Sequence, residues 1–251
     1  MPFRQYCASP LRAESLKCRG RSHLVALVRE QRLAPALAGS AFPSLLFVNT
    51  KQQLRLELKA RRRALPARAR ARAALDVTRH VAATRWLAPG KRIGLYASLP
   101  HELDTGPLIE LARLRGCQVF LPRIVSLRSY RMEFVPYDTR GRVHAFGMHE
   151  PAGHGFFPAR FLDTLFIPCV AVDRRGARLG HGAGLYDRAL AFRRSRAHWQ
   201  GPRLVGLAYD FQVVTEVPVA PNDVFMDVLA TDKGIYELLA DEDRALDVRH
   251  R

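Results

Sequence analysis

Hydrophobic positions acquire a regular rhythm only after residue 49. Asn49 or Thr50 offers a helix cap. Beyond it Leu54, Leu58 and Leu65 return at helical spacing with Lys and Arg between them, so one side can pack while the other meets water. Pro66 breaks or restarts that helix. Residues 67–87 predict a second helix, with Val77, Val81 and Trp86 toward the core and Pro89-Gly90 as its stop. The rhythm then changes to short apolar runs. Residues 92–97 predict a buried strand, 105–115 a helix capped near Asp104, 117–124 a strand and 131–136 a shorter one. The most apolar run, 164–172, predicts a strand that ends in the turn 173–176. Residues 184–198 predict a helix, 203–209 and 227–231 two strands, and 234–240 a closing helix. Such alternation is that of a layered α/β domain. It spans 50–241, without internal repeats, between an N-terminal extension (1–49) and a short tail (242–251).

Composition adds few surprises. Hydrophobic residues make up 48% of the 251 positions, enough for a packed core. No run approaches the length needed to span a bilayer. The net charge of +17 would suggest a nucleic-acid partner, but its placement argues against one. Residues 1–50 carry seven Lys/Arg against Glu14 and Glu30, and residues 51–75 carry nine against Glu57. The excess is therefore confined to the extension and one helix, where Arg61–Arg63 and Arg68–Arg72 read as a solvated face. The extension itself is Arg-rich, acid-poor and punctuated by Ser, Pro and Gly. A disordered tail, or residues upstream of the true start, is the expectation there. Cys7, Cys18, Cys117 and Cys169 lack metal-ligand spacing, and the last two fall in apolar runs. Reduced thiols in a cytoplasmic protein are expected.

Candidate chemistry gathers in Asp173-x-x-Gly176-x-Arg178-Leu179-Gly180-His181-Gly182-Ala183-Gly184-Leu185-Tyr186-Asp187, between the strongest strand and a helix. Glycines admit close backbone approach, a helix start offers unpaired N–H groups to phosphate, and Arg178 adds a bidentate cation. Asp187 could hold a divalent ion brought by a nucleotide. The run lacks the Lys-Ser/Thr of a Walker loop and the Gly-x-Gly-x-x-Gly spacing of dinucleotide folds. Two further segments stand at element ends. Glu102, before the cap Asp104-Thr105, is free to accept hydrogen bonds from a polar heterocycle. Asp223 in Pro221-Asn222-Asp223 would complete a cation site if the fold brings it to Asp187, although turn chemistry alone also explains it.

Taken in order, Lys51-x-x-Leu54-Arg55, Glu102-Leu103-Asp104-Thr105, Phe146-Gly147-x-x-Glu150-Pro151, the Asp173–Asp187 segment and Pro221-Asn222-Asp223 resemble the 5-formyltetrahydrofolate cyclo-ligase family, from about Lys51 to Tyr236. The resemblance implies a single three-layer α/β/α domain like that of sugar-phosphate isomerases and CoA-transferases. It also implies 5-formyltetrahydrofolate as substrate with ATP as co-substrate and Mg2+ as cofactor; a monomer with no membrane or nucleic-acid partner is the accompanying expectation. By resemblance, Lys51, Gln52, Gln53, Leu54 and Arg55 of the first helix bind ATP together with Arg178, Leu179, Gly180, His181, Gly182, Ala183, Gly184, Leu185 and Tyr186. Lys51 and Arg178 are the charges expected to act in catalysis, and Asp187 and Asp223 match the metal positions. Ala97 and Glu102 match folate contacts, and residues 181–185 line the space shared by folate and nucleotide. In the implied reaction the formyl oxygen attacks the γ-phosphate of ATP and N-10 then closes the ring, which leaves no role for a nucleophilic side chain. Two departures are visible: Ala183 stands where relatives carry Gly or Lys, and Leu185 where they carry an aromatic. Ala183 is tolerable if its φ is negative, whereas Leu185 would cost about 1 kcal/mol of stacking on the pterin. The competing expectations are a noncatalytic protein of the same fold that binds RNA or another acidic partner, and an ATP-independent sugar-phosphate isomerase.

Overall fold

The computed structural model describes residues 50–126, 128–137, 142–143, 149–150, 155–195 and 201–238. The N-terminal extension and the C-terminal tail anticipated from the sequence lie outside them, as do Phe146 and Pro151.

Helix α1 (Lys51–Ala64) begins with a reciprocal cap. Gln53 N–H donates to Thr50 Oγ1 (3.2 Å) while Thr50 N–H donates to Gln53 Oε1 (3.0 Å), which satisfies two otherwise unpaired donors. Its buried side chains are Leu54, Leu58 and Arg62, one every four residues. The leucines meet Val170, Ala171, Ala177 and Leu179. The solvated face expected at 61–63 is therefore broken by Arg62, and Leu65, beyond the last turn, leans on the main core instead. Helix α2 (Ala67–Ala82) restarts after Pro66 and buries Ala73, Ala74, Val77 and Val81. It ends five residues earlier than its apolar spacing suggests.

Strands β1 (Arg92–Gly94), β2 (Gln118–Ser126) and β3 (Arg131–Pro136) follow, with α3 (Gly106–Leu114) joining β1 to β2. Two short ladders interrupt the sequence: β4 (Arg142–Val143) with β5 (His149–Glu150), and β7 (Ala171–Val172) with β8 (Arg178–Leu179). Between them runs β6 (Thr164–Pro168). After α4 (Leu185–Ala189) and α5 (Phe192–Ser195) come β9 (Arg203–Leu207), β10 (Val228–Ala230) and β11 (Ile235–Glu237). The main sheet has the order β11-β10-β9-β6-β1-β2-β3, parallel from β10 through β2 with an antiparallel strand at each edge. Both faces are covered, which explains the near-continuous apolar runs. Val119, Leu121, Phe166, Val205 and Leu207 point into the layer shared with α2 and α3. Their neighbours Phe120, Leu165, Ile167 and Leu204 point into the opposite layer, with Leu190 and residues of α4 and α5 packed there.

Two expected helices are corrected. The span 184–198 contains only α4 and α5, with 196–198 outside the described residues. The closing helix is replaced by β11, because a tight turn (Thr231 N–H to Gly234 O, 2.9 Å) folds the chain back along β10. Backbone pairing at the sheet edge outweighs the modest helix preference of Glu237 and Leu238.

Gln212 braces the sheet where β6 ends. Its fully buried amide donates to Cys169 O (2.8 Å) and Val170 O (2.7 Å) and accepts from Tyr209 N–H (2.9 Å). Gln212→Leu would orphan three buried backbone groups, and urea denaturation should register a loss of about 3 kcal/mol.

Candidate active site

Strand order reverses at β1. The chain passes from β1 to β2 on one side, whereas β6, β9 and β10 build outward on the other. At such a switch the segments leaving the carboxyl ends diverge and open a crevice. A cavity of about 390 Å³ is lined there by Tyr96 and Ala97 beyond β1 and Pro168 at the end of β6.

The segment after β1 is tied down at several points. Thr105 Oγ1 donates to Tyr96 O (2.5 Å), Tyr96 Oη to Leu103 O (3.2 Å) and Tyr209 Oη to Glu102 O (3.0 Å). His101 is held at φ 68°, in the left-handed region. Asp104, expected as the cap of α3, accepts from Gly106 N–H (2.9 Å). Glu102 is buried at the cavity wall.

The opposite wall is the glycine segment. Asp173, fully buried, accepts from Arg175 N–H (3.0 Å) and Ala177 N–H (3.1 Å), which turns the chain from β7 into β8. Gly182 (φ 119°) and Gly184 (φ 64°) adopt conformations that a Cβ would strain. Among the described residues only His101 and Tyr130 are non-glycines with positive φ, so Ala183 is unstrained. A Cβ at Gly180 would stand 3.2 Å from Arg178 Nη1 and crowd the guanidinium. α4 has only five residues, so the helix start expected to favour phosphate contributes little dipole. The positive field comes instead from Lys51, Arg55 and Arg178, which all line the cavity. Arg55 also holds the loop, donating from Nε to Gly180 O (2.9 Å).

Two of these cations meet carboxylates directly. Lys51 Nζ lies 2.7 Å from Asp223 Oδ2, and Arg178 Nη2 lies 2.7 Å from Asp187 Oδ1. Backbone donors reach the same oxygens, Ala220 N–H to Asp223 Oδ2 (2.8 Å) and Val224 N–H to Asp187 Oδ1 (3.2 Å). Among the described residues the second oxygen of each carboxylate accepts no hydrogen bond. Hard oxygen donors of this kind suit a divalent ion that keeps waters and phosphate oxygens as its other ligands. No cluster of three or more His, Cys, Asp or Glu is found among the described residues. Two carboxylates alone fit an ion that arrives with a polyphosphate better than a resident one.

Glu102 Oε2 accepts from Leu99 N–H (2.8 Å), while Oε1 faces His181 Nε2 (3.2 Å) and Arg62 Nη2 (3.6 Å). Burial raises the Glu102 pKa, opposed by the Leu99 N–H and by Arg62. His181 behaves oppositely. Desolvation, then the charges of Arg62, Lys59 and Arg55, bring its pKa down to about 4. Burial lifts the Tyr96 and Tyr186 hydroxyls well above the usual phenol range, so both remain neutral donors.

Residues 48–232 match the 5-formyltetrahydrofolate cyclo-ligase family. The chain belongs to that family. A 5-formyltetrahydrofolate cyclo-ligase of Haemophilus influenzae is 34% identical over 69% of this chain and 93% of its own length. One from Mus musculus is 31% identical over 75% and 94%. Among solved structures, the 5,10-methenyltetrahydrofolate synthetase of Aquifex aeolicus superposes with a TM-score of 0.65 at 28% identity, over 76% of this chain and 93% of its own. The synthetase of Mycoplasma pneumoniae, 23% identical, shares the fold with a TM-score of 0.57 over 72% and 98%. No helix among the described residues is long and apolar enough to cross a membrane.

Within this cyclo-ligase domain, the cavity gathers most of the residues singled out from the sequence: Lys51, Arg55, Ala97, Glu102, every residue from Arg178 to Asp187, and Asp223. Three of them lie elsewhere. Gln52 is exposed, Gln53 is spent on the α1 cap, and Leu54 is buried against β7 and β8. Sequence reasoning missed Tyr96, Leu99, Pro122, Ile124 and Met132, which supply much of the apolar lining, and it missed Arg62. The Leu54-Leu58-Arg62 spacing was a usable signal for the last, since it places a cation on the packing face. The depressed His181 pKa predicts that its imidazole stays neutral from about pH 5.5 upward. Two-dimensional ¹⁵N NMR should show no His181 titration between pH 5.5 and 8.5.

Proposed function

We propose that the chain converts 5-formyltetrahydrofolate to 5,10-methenyltetrahydrofolate with ATP, releasing ADP and phosphate, as a cytoplasmic monomer. The observation that carries this reading is one cavity in which Lys51, Arg55 and Arg178 converge with Asp187, Asp223 and a buried Glu102. A triphosphate needs the cations, and a reduced pterin offers N–H donors to a carboxylate. Pro122, Ile124, Met132 and Leu185 give a planar ring an apolar surface. The buried, free Cys117 and Cys169 accord with a reducing compartment.

Chemistry follows from alignment. The folate formyl oxygen attacks the γ-phosphorus as the bond to ADP breaks. N-10 then adds to the activated formyl carbon, and loss of its proton and of inorganic phosphate leaves the methenyl bridge. Lys51, Arg55 and Arg178 balance charge on the transferring phosphoryl group, where preorganised donors contribute most. For that, Lys51 and Arg178 turn from Asp223 and Asp187 toward phosphate oxygens, which frees both carboxylates for the metal. Asp187 and Asp223 would hold Mg2+, which would supply further neutralisation of phosphate charge. His181, neutral beside Glu102, lines the cavity and need not move a proton. Gly182 and Gly184 let the loop backbone close on the ligand.

Purified protein with MgATP and 5-formyltetrahydrofolate should produce the methenyl chromophore, and omission of ATP or chelation of magnesium should abolish it. Arg178→Ala and Asp187→Ala should each slow turnover by about tenfold to a hundredfold or more. Normal rates in both well-folded variants would refute the site, and turnover without ATP would refute the reaction.

A further inference from the structure

Arg62 touches the catalytic cavity only through another residue, yet it is one of the most enclosed cations of the fold. Its side chain and that of Glu102 are 6% and 4% exposed. It occupies the third buried position of α1, with Leu54 and Leu58 filling the first two. From there Nε donates to His101 O (3.0 Å), and Nη2 stands 3.6 Å from Glu102 Oε1. The acceptor carbonyl belongs to the residue with φ 68°. A bulky side chain persists in that region only where its surroundings hold it, and Arg62 is a tie to it from a separate element. Glu102 Oε1 accepts no hydrogen bond from any described residue, so the carboxylate keeps an open acceptor while a guanidinium stands beside it.

The other charged or titratable groups around this carboxylate are Lys59 on α1, His181 in the glycine segment, Tyr96 beyond β1, Cys169 beyond β6 and Tyr186 on α4. Arg62 and Lys59 are the cations among them that oppose protonation of Glu102, against the effect of burial. A neutral His181 brings no positive charge to that task.

We propose that Arg62 is a positioning residue that keeps Glu102 ionised and aimed at the folate, so that α1 serves the nucleotide through Lys51 and Arg55 and the pterin through Arg62. This rests on the folate reading above. Its consequence is a pH signature. Without the guanidinium, a proton occupies the Glu102 acceptor at a pH where the native protein leaves it bare. Folate affinity then fails at higher pH, while nucleotide affinity is spared.

The test compares the native chain with Arg62→Gln, which keeps a donor for His101 O without the charge, and Arg62→Lys, which keeps the charge without the fork. Calorimetric titration with 5-formyltetrahydrofolate from pH 5.5 to 8.5 should place the acid limb of Arg62→Gln higher by about one pH unit, a tenfold loss of affinity on that limb. ATP affinity should stay within about twofold, and Arg62→Lys should restore the limb. A limb that does not move in Arg62→Gln overturns the proposal. A second readout is independent of folate: ¹³C NMR of the Glu102 carboxyl, assigned by its loss in Glu102→Gln, should titrate higher in Arg62→Gln than in the native chain. Should the native protein bind no folate, the functional reading fails, and this carboxyl titration still decides the role of Arg62. An unchanged carboxyl titration overturns it.

Discussion

The site depends on the requirement that several like charges share one small cavity without driving the fold apart. Lys51, Arg55 and Arg178 could not stand together uncompensated. At an effective dielectric near 20, two charges 4 Å apart interact by about 4 kcal/mol, a large part of the stability of an ordinary domain. The structure answers with Asp223 and Asp187, each 2.7 Å from its cation. Neither carboxylate is wholly consumed, because one oxygen of each is left without a protein donor among the described residues. The charges are thus stored in a balanced form, and on the proposed reading a metal-bound polyphosphate would exchange partners with them, phosphate for carboxylate on the cations and metal for cation on the carboxylates.

How much of this was legible in the residues follows a physical line. The glycine segment could be read because close approach and positive φ demand glycine, and Gly182 and Gly184 show both the demand and its answer. The alternation of apolar runs was enough for a layered α/β architecture, since strands buried on both faces leave little other pattern, and the three layers came with the family resemblance. Short-range reasoning faltered where tertiary contacts decide. β11 forms because β10 offers an open edge, which nothing in residues 234–240 declares. α4 stops after five residues although its sequence could continue. The apolar lining from Pro122, Ile124 and Met132 was invisible because those side chains read as ordinary strand residues until β2 and β3 are laid beside the glycine segment.

Arg62 is the instructive miss. A run of three arginines in a basic helix invites the reading of a solvated face, and for two of them that reading costs nothing. The helical period singles out the middle one. Arg62 brings the larger of the two cationic influences on the buried Glu102, and Glu102 is the carboxylate beside the buried guanidinium, so that removing either partner leaves the other less well compensated. Each makes the other tolerable, and neither could be assigned from its own segment.

The Lys51–Asp223 pair joins residues 172 positions apart, and the Arg55–Gly180 bond spans 125. Contacts of such separation close only after most of the intervening chain is in place. A nascent chain that has made α1 but not yet the turn after β9 therefore carries Lys51 without its counter-charge. The working pocket is in this sense a property of the nearly complete domain, which no early folding fragment can display.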